Sequence, residues 1–250
     1  MCSVFSDKLS SMKRILTSLL ALSFSASLTA TELSGDLGDG DIKKAAAITA
    51  WPSIHRAWTA PGVSPNDGLG LSLGLEATAV PRSDLTEMGD GAGVAPSVIP
   101  VPRFWAAWDF PHNFQVSGSV APGMLFDGIF ALGVGIQWMF FEDETIKMSG
   151  LFHYTYSDIF GDLSVHTPGL SFQTAKDLGF WQPYAGIGFI SANASADRAR
   201  VRADTDTGPY TLAASHVYAG ARIDLGAELS FQFDLTGRKL SFALLMSQSF

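Results

Sequence analysis

The sequence predicts an all-β fold: a closed antiparallel transmembrane β-barrel of about ten strands, with 8 and 12 as neighbouring counts, behind a short N-terminal helical segment. Three observations carry this. From Leu69 to the C-terminal Phe250, apolar residues recur at every second position, the period of a strand with one apolar face. Aromatics make up 12% of the 250 residues and Gly contributes 25, while only 16% are charged. Past residue 30 no apolar run reaches the roughly 18 residues that a membrane-spanning helix needs, so strands must make any crossing.

The chain begins with an export pattern. Met12, Lys13 and Arg14 form a positive start, and residues 15–28 follow as an apolar stretch interrupted only by Ser and Thr. Small residues around Ala30 complete a secretory signal over residues 1–30, with cleavage expected after Ala30 and Ser27 as the less favoured site. Residues 1–11 do not look like a signal start, which points to Met12 as the initiator. Cys2 is the only cysteine, so a chain cleaved at Ala30 has no thiol, no disulfide and no thiolate chemistry. Removing residues 1–30 takes the formal charge from −8 to −10, with 13 basic against 23 acidic side chains, and such a balance argues against a nucleic-acid partner.

Residues 31–66 do not alternate and read as an N-terminal periplasmic or plug segment. Asp39 and Asp41 are candidate caps for a helix over residues 42–51 that Pro52 ends, and residues 54–58 add a further turn. So short a helix is marginal alone, and a free extension would leave Trp51 and Trp58 in water. The segment is therefore expected to pack against the barrel, either inside the lumen or across the periplasmic mouth.

The barrel proper is expected over residues 67–250. Its first strand has Leu69, Leu71, Leu73, Leu75, Ala77 and Ala79 on one face and Ser72, Glu76 and Thr78 on the other. Phe104, Ala106, Trp108 and Phe110 oppose Arg103 and Asp109; after the short turn Pro111, His112 and Asn113, Phe114, Val116 and Val120 oppose Gln115, Ser117 and Ser119. Phe130, Leu132, Val134, Ile136, Trp138 and Phe140 are backed by Gly133, Gly135 and Gln137. Ile146, Met148, Phe152, Tyr154 and Tyr156 are backed by Lys147, Ser149, His153 and Thr155. Between residues 163 and 174 the alternation is less clean, and Pro168 with Gly169 is expected to shift the phase through a bulge. Ala185, Ile187 and Phe189 face away from Gln182, Tyr184 and Gly186; Val217, Ala219, Ala221, Ile223 and Leu225 face away from Arg222 and Asp224. Leu229, Phe231, Phe233 and Leu235 oppose Glu228, Ser230, Gln232 and Asp234, and residues 240–250 close the series.

If the first strand leaves the periplasm, the two longest irregular stretches, residues 80–98 and 192–210, fall outside the cell. The short connections at 111–113, 142–145, 176–179 and 225–226 then fall inside. Trp108, Phe110, Phe114, Trp138, Phe140, Phe141, Phe180, Trp181 and Phe250 all sit beside the expected periplasmic turns, as an interfacial girdle would. A soluble sandwich or lipocalin-like barrel also alternates, but it would hydrate its polar face strongly; here that face is mostly Gly, Ser, Thr and Gln.

In the last strand Leu240, Phe242, Leu244, Met246, Gln248 and Phe250 share one face. This resembles the C-terminal assembly signal of bacterial outer-membrane proteins, alternating apolar residues that end in an aromatic, and departs from it at the polar Gln248. Pro183-Tyr184-Ala185-Gly186-Ile187-Gly188-Phe189 and Tyr218-Ala219-Gly220-Ala221-Arg222 are similar to strands of small porin-like outer-membrane proteins. The resemblance implies the bacterial outer membrane as location, with its lipid and lipopolysaccharide and the barrel-assembly machinery as partners. It selects no functional family.

No constellation points to catalysis, a cofactor or a metal. Asp158, Asp162 and His166 flank an expected external loop, and His216 lies on the following hairpin, roughly where omptin-type proteases keep Asp and His pairs; that family's paired motifs are not matched. A lipid A deacylase would need Ser activated by His, but Ser215 and His216 fall on opposite strand faces and His153 has no matching Ser. The five histidines lack metal-ligand spacing. The candidate lumen-facing groups are Arg103, Gln115, Gln137, Lys147, His153, Gln173, Tyr184, Arg222, Asp224, Glu228, Gln232 and Asp234. Their mixed charge favours mutual pairing over a selective pore. Arg198, Arg200 and Arg202, among Asp197, Asp204 and Asp206, belong to an ordinary solvated loop or to one that contacts lipopolysaccharide phosphates. The function expected is an outer-membrane protein serving envelope structure or narrow porin-like passive transport, with a surface hydrolase or a loop-mediated adhesin as alternatives.

Overall fold

A computed structural model describes residues 38–50, 54–56, 58, 70–81, 98–122, 129–159, 161–197, 206–225 and 227–250. Among the described residues are one helix, α1 (Asp39–Ala50), and ten strands: β1 (Leu71–Pro81), β2 (Val98–Phe110), β3 (Phe114–Ala121), β4 (Ile129–Glu142) and β5 (Ile146–Ile159), then β6 (Leu163–Lys176), β7 (Trp181–Ala196), β8 (Tyr210–Asp224), β9 (Glu228–Thr236) and β10 (Lys239–Ser249). Every strand pairs antiparallel with its sequence neighbours, and β1 pairs with β10 from Ser72 opposite Ser249 to Ala79 opposite Phe242, which closes the barrel. Closure leaves no unpaired edge, so every strand's backbone groups can be satisfied without water.

The alternation in the sequence separates the two faces. Phe104, Leu132, Val134, Ile136, Phe152, Phe172, Val217 and Phe233 point outward and are exposed, as are Ile187 at 60% and Phe189 at 58%. Their strand neighbours Arg103, Gln137, Thr155, Ser171, Gln232 and Asp234 point inward and are buried. Apolar outside and polar inside inverts the pattern of a soluble barrel, and the hydrophobic effect would not hold such a surface in water. The chain is thus a transmembrane barrel of the bacterial outer-membrane type.

Strand ends differ in length and in chemistry. One end carries only short turns, 111–113, 143–145, 177–180 and 225–227, and the other carries the longer connections 82–97, 122–128 and 197–209 beside two short ones, 160–162 and 237–238. At the tight-turn end Trp108 stacks with Phe110 at 5.7 Å and Phe114 with Trp138 at 6.0 Å, all four exposed. His112 and Asn113 have φ of 66° and 63°, which allows a hairpin of this length. In the next turn Asp143 accepts the amide hydrogens of Thr145 and Ile146, at 2.9 and 2.7 Å, and these bonds hold its carboxyl below the usual carboxylate range.

Three local expectations need correction. β6 carries no phase shift at Pro168 and Gly169: burial alternates without a break from Leu163 to Lys176, and the pairing with β5 keeps one register throughout. Pro168 points outward, where the ring lies off the packed interior, and Gly169 points inward against His153, which fills the space a side chain would take. The irregularity lies instead in β4, between Met139 and Phe141. β7 and β8 extend the sheet to Ala196 and from Tyr210, so residues 192–196 are strand and not loop; their inward Ala192, Ala194 and Ala196 are small because α1 packs against them. Finally, α1 starts at Asp39 and not at residue 42, with the Gly38 carbonyl accepting the Ile42 amide hydrogen, and the Asp39 carboxylate serves Tyr210 instead of a cap.

Candidate functional site

The lumen is where the buried chemistry gathers. Ile42, Ala46 and Ala50, four residues apart and so on one stripe of α1, pack on Leu163, Val165, Ile190, Ala192, Ala194 and Tyr210 of the barrel's inner wall. Each fully buried Ile contributes about 2 kcal/mol relative to exposure to water, and Ile42 and Ile54 are 0% and 1% exposed. Beyond α1, Ile54, His55, Arg56 and Trp58 are all buried. The segment that sequence left between two positions therefore lies within the lumen as far as its described residues go; Trp51 and the backbone of residues 51–53 lie outside them.

Residues 54–56 and 58 form no helical turn, contrary to the expectation, and the hydrogen bonds give the reason. The amide of His55 donates to Thr155 Oγ1 at 3.0 Å, and the Ile54 carbonyl accepts from Arg103 at 3.2 Å. Barrel side chains thus take up the groups an α-helix would have paired internally. The His55 ring reaches Ser119 at 3.1 Å and Ser117 at 2.6 Å, over the glycine floor of Gly133 and Gly135. A Cβ at Gly135 would stand 2.7 Å from His55 Cδ2, so this close approach requires glycine.

Arg56 is the centre of the arrangement. Its Nη1 lies 2.8 Å from Glu76 of β1 and its Nε 3.0 Å from Asp234 of β9, with all three side chains at most 2% exposed. Arg103 flanks Glu76 at 3.6 Å, Trp58 Nε1 donates to Glu76 at 3.3 Å, and Thr78 Oγ1 donates to it at 3.0 Å. On the other side His216 Nε2 meets Asp234 at 2.8 Å, Gln232 donates to Asp234 at 2.6 Å, and Tyr184 donates to Gln232 at 3.2 Å. Such a network stands in a low-dielectric interior only because each carboxylate faces a cation and several donors.

The remaining candidate groups lie around this centre. Gln115 donates to Asp109 at 2.8 Å, Gln137 to Ser149 at 2.8 Å, and Tyr218 to Gln173 at 3.1 Å. His153 is buried against Gly169. Lys147 pairs with Glu142 at 3.3 Å near a tight turn, and Arg222 pairs with Glu228, which also accepts from Ser247 and Ser249. Asp224, on the same phase as Arg222, is exposed at the rim. A cavity of about 190 Å³ at the tight-turn end is lined by Trp58, Trp105, Asp109, Gln115, Arg222 and Glu228 among others. Of the C-terminal face, Leu240 is 61% exposed and Met246 9%, with Phe242, Leu244 and Phe250 between, and the Phe250 amide donates to the Leu71 carbonyl.

Sequence reasoning passed over His55, Arg56 and Trp58 as site residues. The available signal was a lone cation and a histidine between Ile54 and Trp58 in an otherwise apolar stretch, with an acidic residue, Glu76, 20 positions on from Arg56 on the polar face of the first strand. The groups weighed for catalysis are not brought together. His166 is exposed on the outer wall beside Tyr154 and Tyr156, Asp158 accepts from Tyr156 and the Gly161 amide, and His216 is buried in the lumen on Asp234. Among the described residues no three His, Cys, Asp or Glu side chains gather as metal ligands. The arginines of residues 198–205 lie outside the described residues.

No protein-family model matches the chain, and no curated protein matches it. Among solved structures, it is similar to OmpTdeltaL8, a loop L8 deletion mutant of OmpT, an outer membrane protein of Vibrio cholerae, with 10% identity over 72% of this chain and 75% of that one and a TM-score of 0.29.

Proposed function

We propose that this protein is a plugged, porin-like component of the outer membrane, whose narrow passive path is closed at rest by its own N-terminal segment. The observation that carries the reading is the Arg56 anchor. A cation from outside the sheet is held between carboxylates on β1 and β9, and the wall around it carries polar groups such as Thr78, Gln232 and Tyr184 that suit water and small solutes. Pairing of the wall charges gives a path with little ion preference, and the plug rather than a charged ring sets its conductance.

The tight-turn end faces the periplasm in this proposal. On β7 the outward residues are apolar from Trp181 to Phe189, a length that matches the roughly 9–11 residues that cross a bilayer, and then become Ser191, Asn193 and Ser195. The polar extension, with Thr211 and His166 beside it, fits lipopolysaccharide head groups and the cell surface, and the aromatic residues at the other end fit the inner interface. The C-terminal strand, ending in Phe250, offers the assembly machinery its signal, and residues 1–30 supply export. Removing residues 31–62 should raise single-channel conductance in planar bilayers severalfold above that of the full mature chain. An unchanged conductance, with the deleted protein still a heat-modifiable barrel, would remove the plug from the account.

A further inference from the structure

The described parts of the N-terminal segment lie at different depths of the lumen. Its leading end is fixed by α1, which rests on the first inward residues of β6 (Leu163, Val165), the last of β7 (Ala192, Ala194, Ala196) and the first of β8 (Tyr210), all at the end with the long connections. There Tyr210 donates to Asp39 at 2.8 Å, and the Lys43 ammonium lies 5.4 Å from the centre of the Tyr210 ring. Asp39 and Gly40 are exposed. Deeper in, Arg56 meets Glu76 and Asp234, and Trp58 packs on Trp105, Ala107 and Leu245, further toward the tight turns. The chain then begins β1 at that opposite end, where the Gly70 carbonyl accepts the amide of Asp109 and the Leu71 carbonyl the amide of Phe250.

We infer that the N-terminal arm is threaded along the barrel with the leading end of α1 at the cell surface, so that Asp39 and Gly40 face the outside of the cell. A segment that merely plugged the periplasmic mouth would place its helix among the tight turns; the contacts of α1 with residues 163–165, 190–196 and 210–214 place it at the other end. The barrel thus acts as a sheath for the arm from α1 to Trp58. The inference rests on the proposed orientation, in which the tight turns are periplasmic.

Three single-cysteine variants in a Cys2→Ser background test it, each first shown to give a heat-modifiable barrel. Gly40→Cys reports the start of α1, where an added Cβ meets nothing within 4 Å. Asp206→Cys reports the long-connection end of the barrel and Glu144→Cys a tight turn, both at exposed positions. With a membrane-impermeant maleimide, Gly40→Cys and Asp206→Cys should label as strongly in intact cells as in lysed ones, and Glu144→Cys only after permeabilisation. If Asp206→Cys labels in intact cells and Gly40→Cys does not, the threading is wrong and the orientation stands. If only Glu144→Cys labels in intact cells, the orientation fails and the surface display fails with it.

Discussion

Replacing Arg56 by Leu tests the anchor of the plug. The substitution keeps apolar bulk and deletes one cation from a site where Glu76 and Asp234 are both buried. Removing one member of a buried ion pair costs about 3–5 kcal/mol, because the remaining charge is left uncompensated. Here the lower figure applies. Glu76 keeps Arg103 at 3.6 Å, Trp58 Nε1 and Thr78, and Asp234 keeps His216 and Gln232. A loss of about 3 kcal/mol shifts the ratio of seated to displaced plug on the order of a hundredfold. Planar-bilayer recording should show a matching rise in the frequency of openings, and chymotrypsin should cut the N-terminal segment of the folded barrel much faster than in the parent protein. Adding Asp234→Asn should recover part of the loss, since removing both charges is far less costly than stranding one. A closed record and parental protease resistance in Arg56→Leu would refute the reasoning.

Further outcomes follow from the same contacts. Gly135→Val should unseat the plug while leaving the barrel heat-modifiable, since even a Cβ there would stand 2.7 Å from the His55 ring; adding His55→Gly should restore the closed conductance, and failure of that rescue would separate the two positions. N-terminal sequencing of the purified protein should begin at Thr31, and recovery of residues 13–25 would contradict the export reading. Deleting Phe250, whose amide bonds β10 to the Leu71 carbonyl, should lower the amount of heat-modifiable barrel in the outer membrane several times over; parental amounts would show that the terminal aromatic is dispensable.

The barrel was legible because period-2 alternation is imposed by two different solvents, lipid outside and a polar lumen inside, and each strand must satisfy both. Leu132, Val134 and Ile136 against Gly133, Gly135 and Gln137 is enough to orient β4 before any contact is known. Pro168 and Gly169 misled because each commonly marks a break, whereas here one needs only an outward position and the other only a large neighbour, His153. The segment inside the lumen was legible only as an unmet requirement, a short stretch with too many apolar residues to remain in water. What it touches depends on pairings such as Arg56 with Asp234, 178 positions away, which no local pattern records. The histidine and lone cation at 55 and 56 were visible in sequence, but their partners on β1, β3 and β9 were not.

Amide hydrogen exchange of the folded, detergent-solubilised protein tests the central claim most directly, read over residues 54–58. The amide of His55 is bonded to Thr155, and Ile54, His55, Arg56 and Trp58 are at most 2% exposed, so their exchange should be slowed as strongly as that of the strands around them. Exchange at the rate of an unstructured peptide, while β1 and β9 remain protected, would mean that the lumen is not closed by this segment and would contradict the account.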